Sequence, residues 1–363
     1  MRVGYMLQLQ NLFEDMSDAE MLREEMRVAV KAEALGYDAI WCPEHHFESY
    51  SMAVDNLQVL SWLAAKTETI KLGSAALILP WWTQPIRLVE RISMLDAMSG
   101  GRYIIGFGRG LARKEFEAFG IPIEESRGRF DEMSQMIFKA LQTGHIEGEG
   151  PFFPQIKTEI RPRPDNFDGR LYSVAMSPES AKSIAALDTR MMTFVQFSMD
   201  KLLPNIEIFR TEYRKNHGRD AAPTLLVDDC YCSMDEKKNE EVVRKYLAAK
   251  YISILQHYEF MKDYHKELKG YEAYGESAKF LNSLGLDGAV ADYISHQAWG
   301  TPRQILEKLD KRRSVIGDYE WISICSFGGM PFNLVESSME LLSKEVMPEL
   351  RTWAPIENER AAA

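Results

Sequence analysis

The sequence predicts an α/β fold, a TIM-type (β/α)8 barrel. Strand-like and helix-like runs alternate along the chain, and most of the strand-like runs are continuously apolar. Continuous apolar runs are what parallel strands covered by helices require, and repeated βα units close into a barrel. Two polar clusters, Glu44-His45-His46 and Gly106-Phe107-Gly108-Arg109-Gly110, leave strand-like runs at their C-terminal ends. That is where a barrel gathers its site.

Taken in order, the first strand is Val3–Leu7, and the helix after it runs from Ser17 to Leu35. Ser17-Asp18-Ala19-Glu20 has the spacing of a capping box, and Gly36 stops the helix. Tyr37–Trp41 is the second strand, ended by Pro43, and Ile70–Leu79 is the third. A helix from Pro85 to Met98 starts on a proline and ends at Gly100-Gly101. Tyr103–Phe107 is the fourth strand. The next connection holds a helix over Arg127–Leu141 and then a hairpin or loop punctuated by Gly148, Gly150, Pro151, Pro162 and Pro164. Strands five to seven are Leu171–Ala175, Met191–Phe197 and Leu225–Cys232, with helices over Ser177–Leu187 and Asp200–Asn216 between them. A helical region over Asp235–Glu267 and a less patterned stretch over Gly270–Gly300 follow. The helix Thr301–Ile316, the eighth strand Trp321–Ser326 and the helix Leu334–Met347 complete the series.

Two connections exceed a simple βα unit. They predict insertions after strands 4 and 7, over about 111–170 and 234–302, the second including a lid. The expectation is one barrel domain over 1–350 and a tail over 351–363, unstructured from Arg360 to Ala363.

Composition is that of a globular protein, 45% hydrophobic and 27% charged. A net charge of −11 without a basic block argues against nucleic acid, and no apolar run is long enough to span a bilayer. The N-terminus lacks the pattern of a signal peptide, which predicts a cytoplasmic protein. The four cysteines (Cys42, Cys230, Cys232, Cys325) have no zinc-type spacing and read as free thiols.

An acid and two imidazoles behind a buried strand point to proton transfer. Adjacent residues on extended backbone face opposite ways, so one of His45 and His46 should enter the site. His-Glu-x-x-His and His-x-His spacings are absent, which argues against a metal. The glycines around Arg109 fail the Gly-x-Gly-x-x-Gly register, since Leu111 holds the last place. They let backbone pass close to a flat ligand, with Arg109 as a fixed positive charge or as an ion-pair partner of Glu115. Ser177-Pro178-Glu179-Ser180-Ala181-Lys182-Ser183 opens a helix after strand 5, which is a phosphate cradle or a plain N-cap. Small residues at Gly73-Ser74-Ala75-Ala76 allow a ligand ring or an unusual peptide geometry. His46, Phe47, Trp81, Trp82, Phe107, Met176, Phe194 and Phe197 are pocket candidates, although aromatic residues serve equally as core.

From Met1 to about Leu350 these features resemble the luciferase-like flavin monooxygenases, most closely the bacterial luciferase α-subunit branch. The resemblance rests on Trp41 with Glu44-His45-His46-Phe47, on Gly73 to Pro80, on Leu95-Asp96-Ala97-Met98-Ser99, and on Gly101-Arg102-Tyr103 leading to Gly106–Leu111 and Lys114-Glu115-Phe116. Gly300-Thr301-Pro302 and Val346-Met347-Pro348 extend it. It implies reduced FMN from a separate NAD(P)H:flavin reductase, O2 addition at the flavin C4a, and attack of the peroxide on a small apolar substrate (aldehyde, ketone, terpene or aromatic). It further implies His45 as the proton-transfer residue, Arg109 beside the flavin phosphate, a cis Ala75–Ala76 peptide against the ring, and Glu179, Ser180 and Ser183 at the ribityl phosphate, next to Ser177 of the cradle. A homodimer is implied as well. Gly108 stands where luciferase has a cysteine, and the segment Ala278 to Gln297 lacks the Lys/Arg run of the luciferase lid. Both departures argue against luminescence. A deazaflavin (F420) reductase or dehydrogenase on the same barrel is the alternative, and a non-catalytic flavin-binding accessory subunit is a second one. Retention of His45 and Arg109 disfavours the accessory subunit.

Overall fold

The computed structural model describes residues 1–262, 264, 268 and 271–356. In chain order, β1 (Val3–Met6) leads through α1 (Asp18–Ala34) to β2 (Ala39–Cys42), and α2 (Asn56–Ala64) leads to β3 (Lys71–Ser74). The short β4 (Leu77–Ile78) precedes α3 (Pro85–Met98) and β5 (Tyr103–Gly108). Helices α4 (Arg113–Phe119) and α5 (Ser126–Thr143) follow, then the antiparallel pair β6 (His145–Gly148) and β7 (Gln155–Glu159). The chain continues with β8 (Leu171–Val174), α6 (Pro178–Ala185), β9 (Arg190–Phe194), α7 (Met199–His217) and β10 (Thr224–Cys232). Helices α8 (Glu236–Val242) and α9 (Ala248–His257) join through a π-helical turn, Val243–Leu247. Then come α10 (Glu272–His296), β11 (Ala298–Gly300), α11 (Pro302–Ile316), β12 (Tyr319–Ile324), α12 (Phe332–Leu341) and α13 (Met347–Thr352).

Among the described residues, eight parallel strands close the barrel in the order β1-β2-β3-β5-β8-β9-β10-β12. Closure falls between β12 and β1, where Tyr5 pairs with Ser323 on one side and with Ile40 on the other. The eight predicted strands are these eight. The third is divided: β3 ends at Ser74, β4 pairs with β5, and the Ala75–Ala76 peptide between them is cis.

The barrel interior is a layer of its own, with Met6, Trp41, Ile104, Tyr172, Met192, Val227 and Ile322 in contact. Trp41 spans neighbouring strands, because a Cβ on Gly73 would lie 2.2 Å from its ring and one on Gly4 would lie 2.7 Å from its Nε1. Glycine at these two places is therefore a packing requirement. At the N-terminal end, Glu320 accepts from Tyr172 Oη at 2.9 Å and pairs with Arg190 and Arg2. The second, larger layer lies between strands and helices. The thiols of Cys42, Cys230, Cys232 and Cys325 are free and buried.

The capping box at Ser17 forms with Glu20, and a second forms at Thr301 with Gln304. The less patterned stretch Gly270–Gly300 is mostly α10, with a break at Gly285 (φ 68°), followed by β11 pairing with β10. Its apolar residues lie on no single stripe, so periodicity did not reveal it. The short helices α2 and α4 were not predicted either. The end of the helix expected to reach Glu267, and the tail from 357 to 363, lie outside the described residues. No described helix is long and apolar enough to cross a membrane.

Candidate active site

The loop after β2 carries the acid–base groups. Glu44 is buried, and its Oε2 accepts from the Ile78 amide at 2.9 Å. Burial pushes its carboxyl up. Ala75 N donates to Cys42 O at 2.8 Å, and Asn56 Nδ2 donates to Ala76 O at 3.1 Å. Glu44 and Asn56 thus frame the cis Ala75–Ala76 peptide, and Ala75 and Ala76 line the cavity.

His45 and His46 diverge, as extended backbone requires. His45 lines the cavity, while the His46 ring packs on Trp81 and Phe119. His45 Nδ1 lies 3.3 Å from Glu115 Oε1, and its Nε2 lies 3.3 Å from Tyr258 Oη. The same Glu115 oxygen accepts from the His46 amide at 2.8 Å. Glu115 therefore serves both histidines. The buried His257 stacks on Tyr50 with ring centroids 4.3 Å apart, and its Nδ1 lies 2.7 Å from Glu48 Oε2. Burial, then the nearby His45, push the His257 imidazole down to about 4.

The anion side lies across the cavity. Arg109 stacks on Tyr271, its guanidinium 3.9 Å from the ring centre. Arg127, on α5, donates to Ser183 Oγ at 2.9 Å and to Ser180 Oγ at 3.1 Å. Burial and the charge of Arg109 push its pKa down. Ser177 caps α6, accepting from the Ser180 amide at 3.2 Å. Two guanidiniums, two hydroxyls and a helix N-terminus form a donor set suited to a phosphate. The Arg127 Nε is buried with no hydrogen-bond partner. Glu179 sits 3.4 Å from that Nε, and its carboxylate would oppose an anion, so only its backbone suits the cradle.

The cavity between these sides is walled by Met6, Val174, Met176, Phe194, Val227 and Ile324, with Trp81 at its edge. Lys250 also reaches it, paired with Asp229, which accepts from Tyr293 Oη at 2.7 Å. Five expected pocket residues do not line it. Phe107 is turned outward: Ile104 packs inside the barrel, so Gly106 and Gly108 face in and Phe107 packs on Phe138 of α5. Phe47 has a positive φ of 66° and is 62% exposed. Trp82 stacks under Arg91, and His46 is in the aromatic cluster with Trp81. Phe197 borders a neighbouring groove with Phe280. Ser177, Glu179 and Ser183 stand just behind Ser180, which lines the cavity.

Ligand atoms of His45, Glu115 and His257 lie within 4.8 Å of one another, a cluster no sequence spacing signalled. Arg127, Tyr258 and His257 were missed in the sequence because each lies on a helix or at its end, far from the strand-end motifs.

A family model described as luciferase-like monooxygenase matches residues 1–319. The chain belongs to the luciferase-like monooxygenase family. Membership makes it an oxidoreductase. The alkanal monooxygenase alpha chain of Aliivibrio fischeri is 27% identical over 285 residues, 76% of this chain and 79% of that one. That of Photobacterium leiognathi is 25% identical over 345 residues, 92% of this chain and 95% of its own. Among solved structures, monooxygenase RslO1 of Streptomyces bottropensis superposes with a TM-score of 0.78 at 23% identity, covering 96% of this luciferase-like chain and 100% of its own. The oxygenating constituent of 3,6-diketocamphane monooxygenase from Pseudomonas putida, in complex with FMN, gives 0.74 at 15% identity, covering 96% and 99%. An F420-dependent secondary alcohol dehydrogenase gives 0.71 at 15%, covering 95% and 98%. These three support the fold.

Proposed function

We propose that this luciferase-like protein is a two-component monooxygenase. It takes reduced FMN from a separate NAD(P)H:flavin reductase and uses O2 to oxygenate a small apolar substrate. The observation that carries this is the convergence of His45, Arg109 and Ser180 on one apolar cavity, with Arg127 bonded to Ser180 from behind. Bound reduced flavin supplies the electrons that activate O2.

The chain's own groups do the rest. Arg127, Arg109, Ser180, Ser183 and the amides opening α6 hold the phosphate end. The small side chains of Ala75 and Ala76 leave room for a flat ring. Met6, Val174, Phe194, Val227 and Ile324 exclude water from the reacting centre. His45 takes and returns a proton at Nε2. Helices α9 and α10, which contribute Ile254 and Tyr274 to the wall, serve as the lid within the longer connections. The homodimer and the cytoplasmic location belong to the same proposal.

The test couples the protein to a flavin reductase and measures oxygen uptake and product. His45→Ala should lower kcat by roughly 10² to 10⁴-fold, the usual loss of a general acid–base group. Unchanged turnover would remove His45 from the mechanism. The F420-dependent neighbour favours a second possibility, hydride transfer with a deazaflavin on the same cradle. Titration with FMN and with F420 separates the two, and tighter F420 binding would overturn the oxygenase proposal.

A further inference from the structure

We infer that Glu115 and Tyr258 are positioning residues that clamp His45 in a single tautomer, with the proton on Nδ1 and Nε2 kept as the acceptor. The argument is donor–acceptor accounting. Glu115 Oε1 already accepts from the His46 amide at 2.8 Å, so this oxygen faces the imidazole as an acceptor. The His45 Nδ1 facing the same oxygen at 3.3 Å must then be the donor. A neutral imidazole with its proton on Nδ1 leaves Nε2 bare, so the Tyr258 hydroxyl at 3.3 Å donates to it. Tyr258 is able to do so, since burial and Tyr50 push its phenol well above its ordinary range and keep it protonated.

The clamp is built from three parts of the chain. His45 comes from the loop after β2, Glu115 from the first turn of α4, and Tyr258 from the end of α9. The residue before Tyr258 completes the dock: His257 Nδ1 meets Glu48 Oε2 at 2.7 Å, and its ring stacks on Tyr50. Tyr50, in turn, packs edge-on against the Tyr258 ring, centroids 5.7 Å apart. Among the described residues, the charged or titratable groups around His45 include Glu115 from α4, Tyr50 and Glu48 from its own loop, and His257 and Tyr258 from the end of α9. Among the described residues, only Glu115 and Tyr258 hydrogen-bond its ring nitrogens. A base that presents Nε2 without first rotating or exchanging a proton is pre-organised for its step.

The inference rests on the oxygenase proposal for its use, but its test does not. Histidine is labelled with ¹⁵N in the full-length protein without added flavin. Long-range ¹H–¹⁵N spectra then report which ring nitrogen carries the proton, with His45→Gln assigning the signal. Wild-type protein should show the Nδ1–H form of His45 at neutral pH. Glu115→Gln, whose amide can donate as well as accept, should shift the ring toward the Nε2–H form. Tyr258→Phe keeps the packing and should do the same if the Glu115 variant does not fold. In the coupled assay both variants should lower kcat by about 10 to 10³-fold with KM nearly unchanged, as expected for a mis-set tautomer. An Nε2–H signal in wild type, or a ring unmoved in Tyr258→Phe, would overturn the clamp. A fixed Nδ1–H form in a protein that does not bind FMN would leave the clamp standing and defeat the oxygenase proposal instead.

Discussion

At the residue scale, the cradle depends on Arg127 more than any strand-end motif suggests. Among the described residues it alone bonds both Ser180 and Ser183, and burial beside Arg109 leaves it poorly solvated. An anion bound between the two guanidiniums would relieve that repulsion. Arg127→Ala should therefore weaken FMN binding by roughly 10 to 100-fold, the loss of a charge-assisted pair. Arg127→Lys should recover little of it, because one ammonium cannot replace a fork. Fluorescence titration of the flavin checks both.

At the element scale, the loop before β3 is tied to the end of α1 by one carboxylate. Glu33 accepts from the amides of Glu68, Thr69 and Ile70 and from the Thr69 hydroxyl. Burial opposes ionisation, but these donors outweigh it and hold the carboxyl at about 2, against an ordinary 4.5. The folded pKa lies below the unfolded one, so the stabilisation is complete above about pH 4.5 and is lost as pH falls toward 2. Urea midpoints taken from about pH 5 down to about pH 3 should fall less steeply for Glu33→Gln than for wild type. The strands themselves were legible in the sequence for a simple reason. Residues such as Tyr103-Ile104-Ile105 are covered on both faces, and that leaves a continuous apolar run. Helix α10 was not legible, because Gly285, Gly288 and its scattered apolar residues make no stripe. At the site, His45, Ala75–Ala76 and Arg109 stood out because they follow strands. Tyr258 and Arg127 did not, since 213 residues separate Tyr258 from His45 and nothing local sets Arg127 apart from other helix arginines. Phe107 was misplaced because strand ends were read without counting the pleat from Ile104.

At the scale of the whole molecule, the end of α9 is a seam between the connection after β10 and the loop after β2. His257 is the group that makes this seam sensitive to acid. Its folded pKa is about 4, below the ordinary 6.5, so the unfolded chain binds more protons between those values. Stability is then full above about pH 6.5 and declines as pH falls toward 4. Thermal melts across that window should show a shallower decline for His257→Phe, which keeps the ring on Tyr50 but cannot titrate.

The four buried thiols offer a clock for opening. Cys42 belongs to β2, Cys230 and Cys232 to β10, and Cys325 follows β12. Burial pushes the Cys42 and Cys230 thiols well above their ordinary range, so they stay protonated and inert while the cylinder is intact. A disulfide reagent should therefore modify the native protein at a rate set by how often the staves part, with Cys42 and Cys230 reacting only on such excursions. Mass spectrometry of the modified peptides over time would show whether the wall loosens stave by stave or all at once.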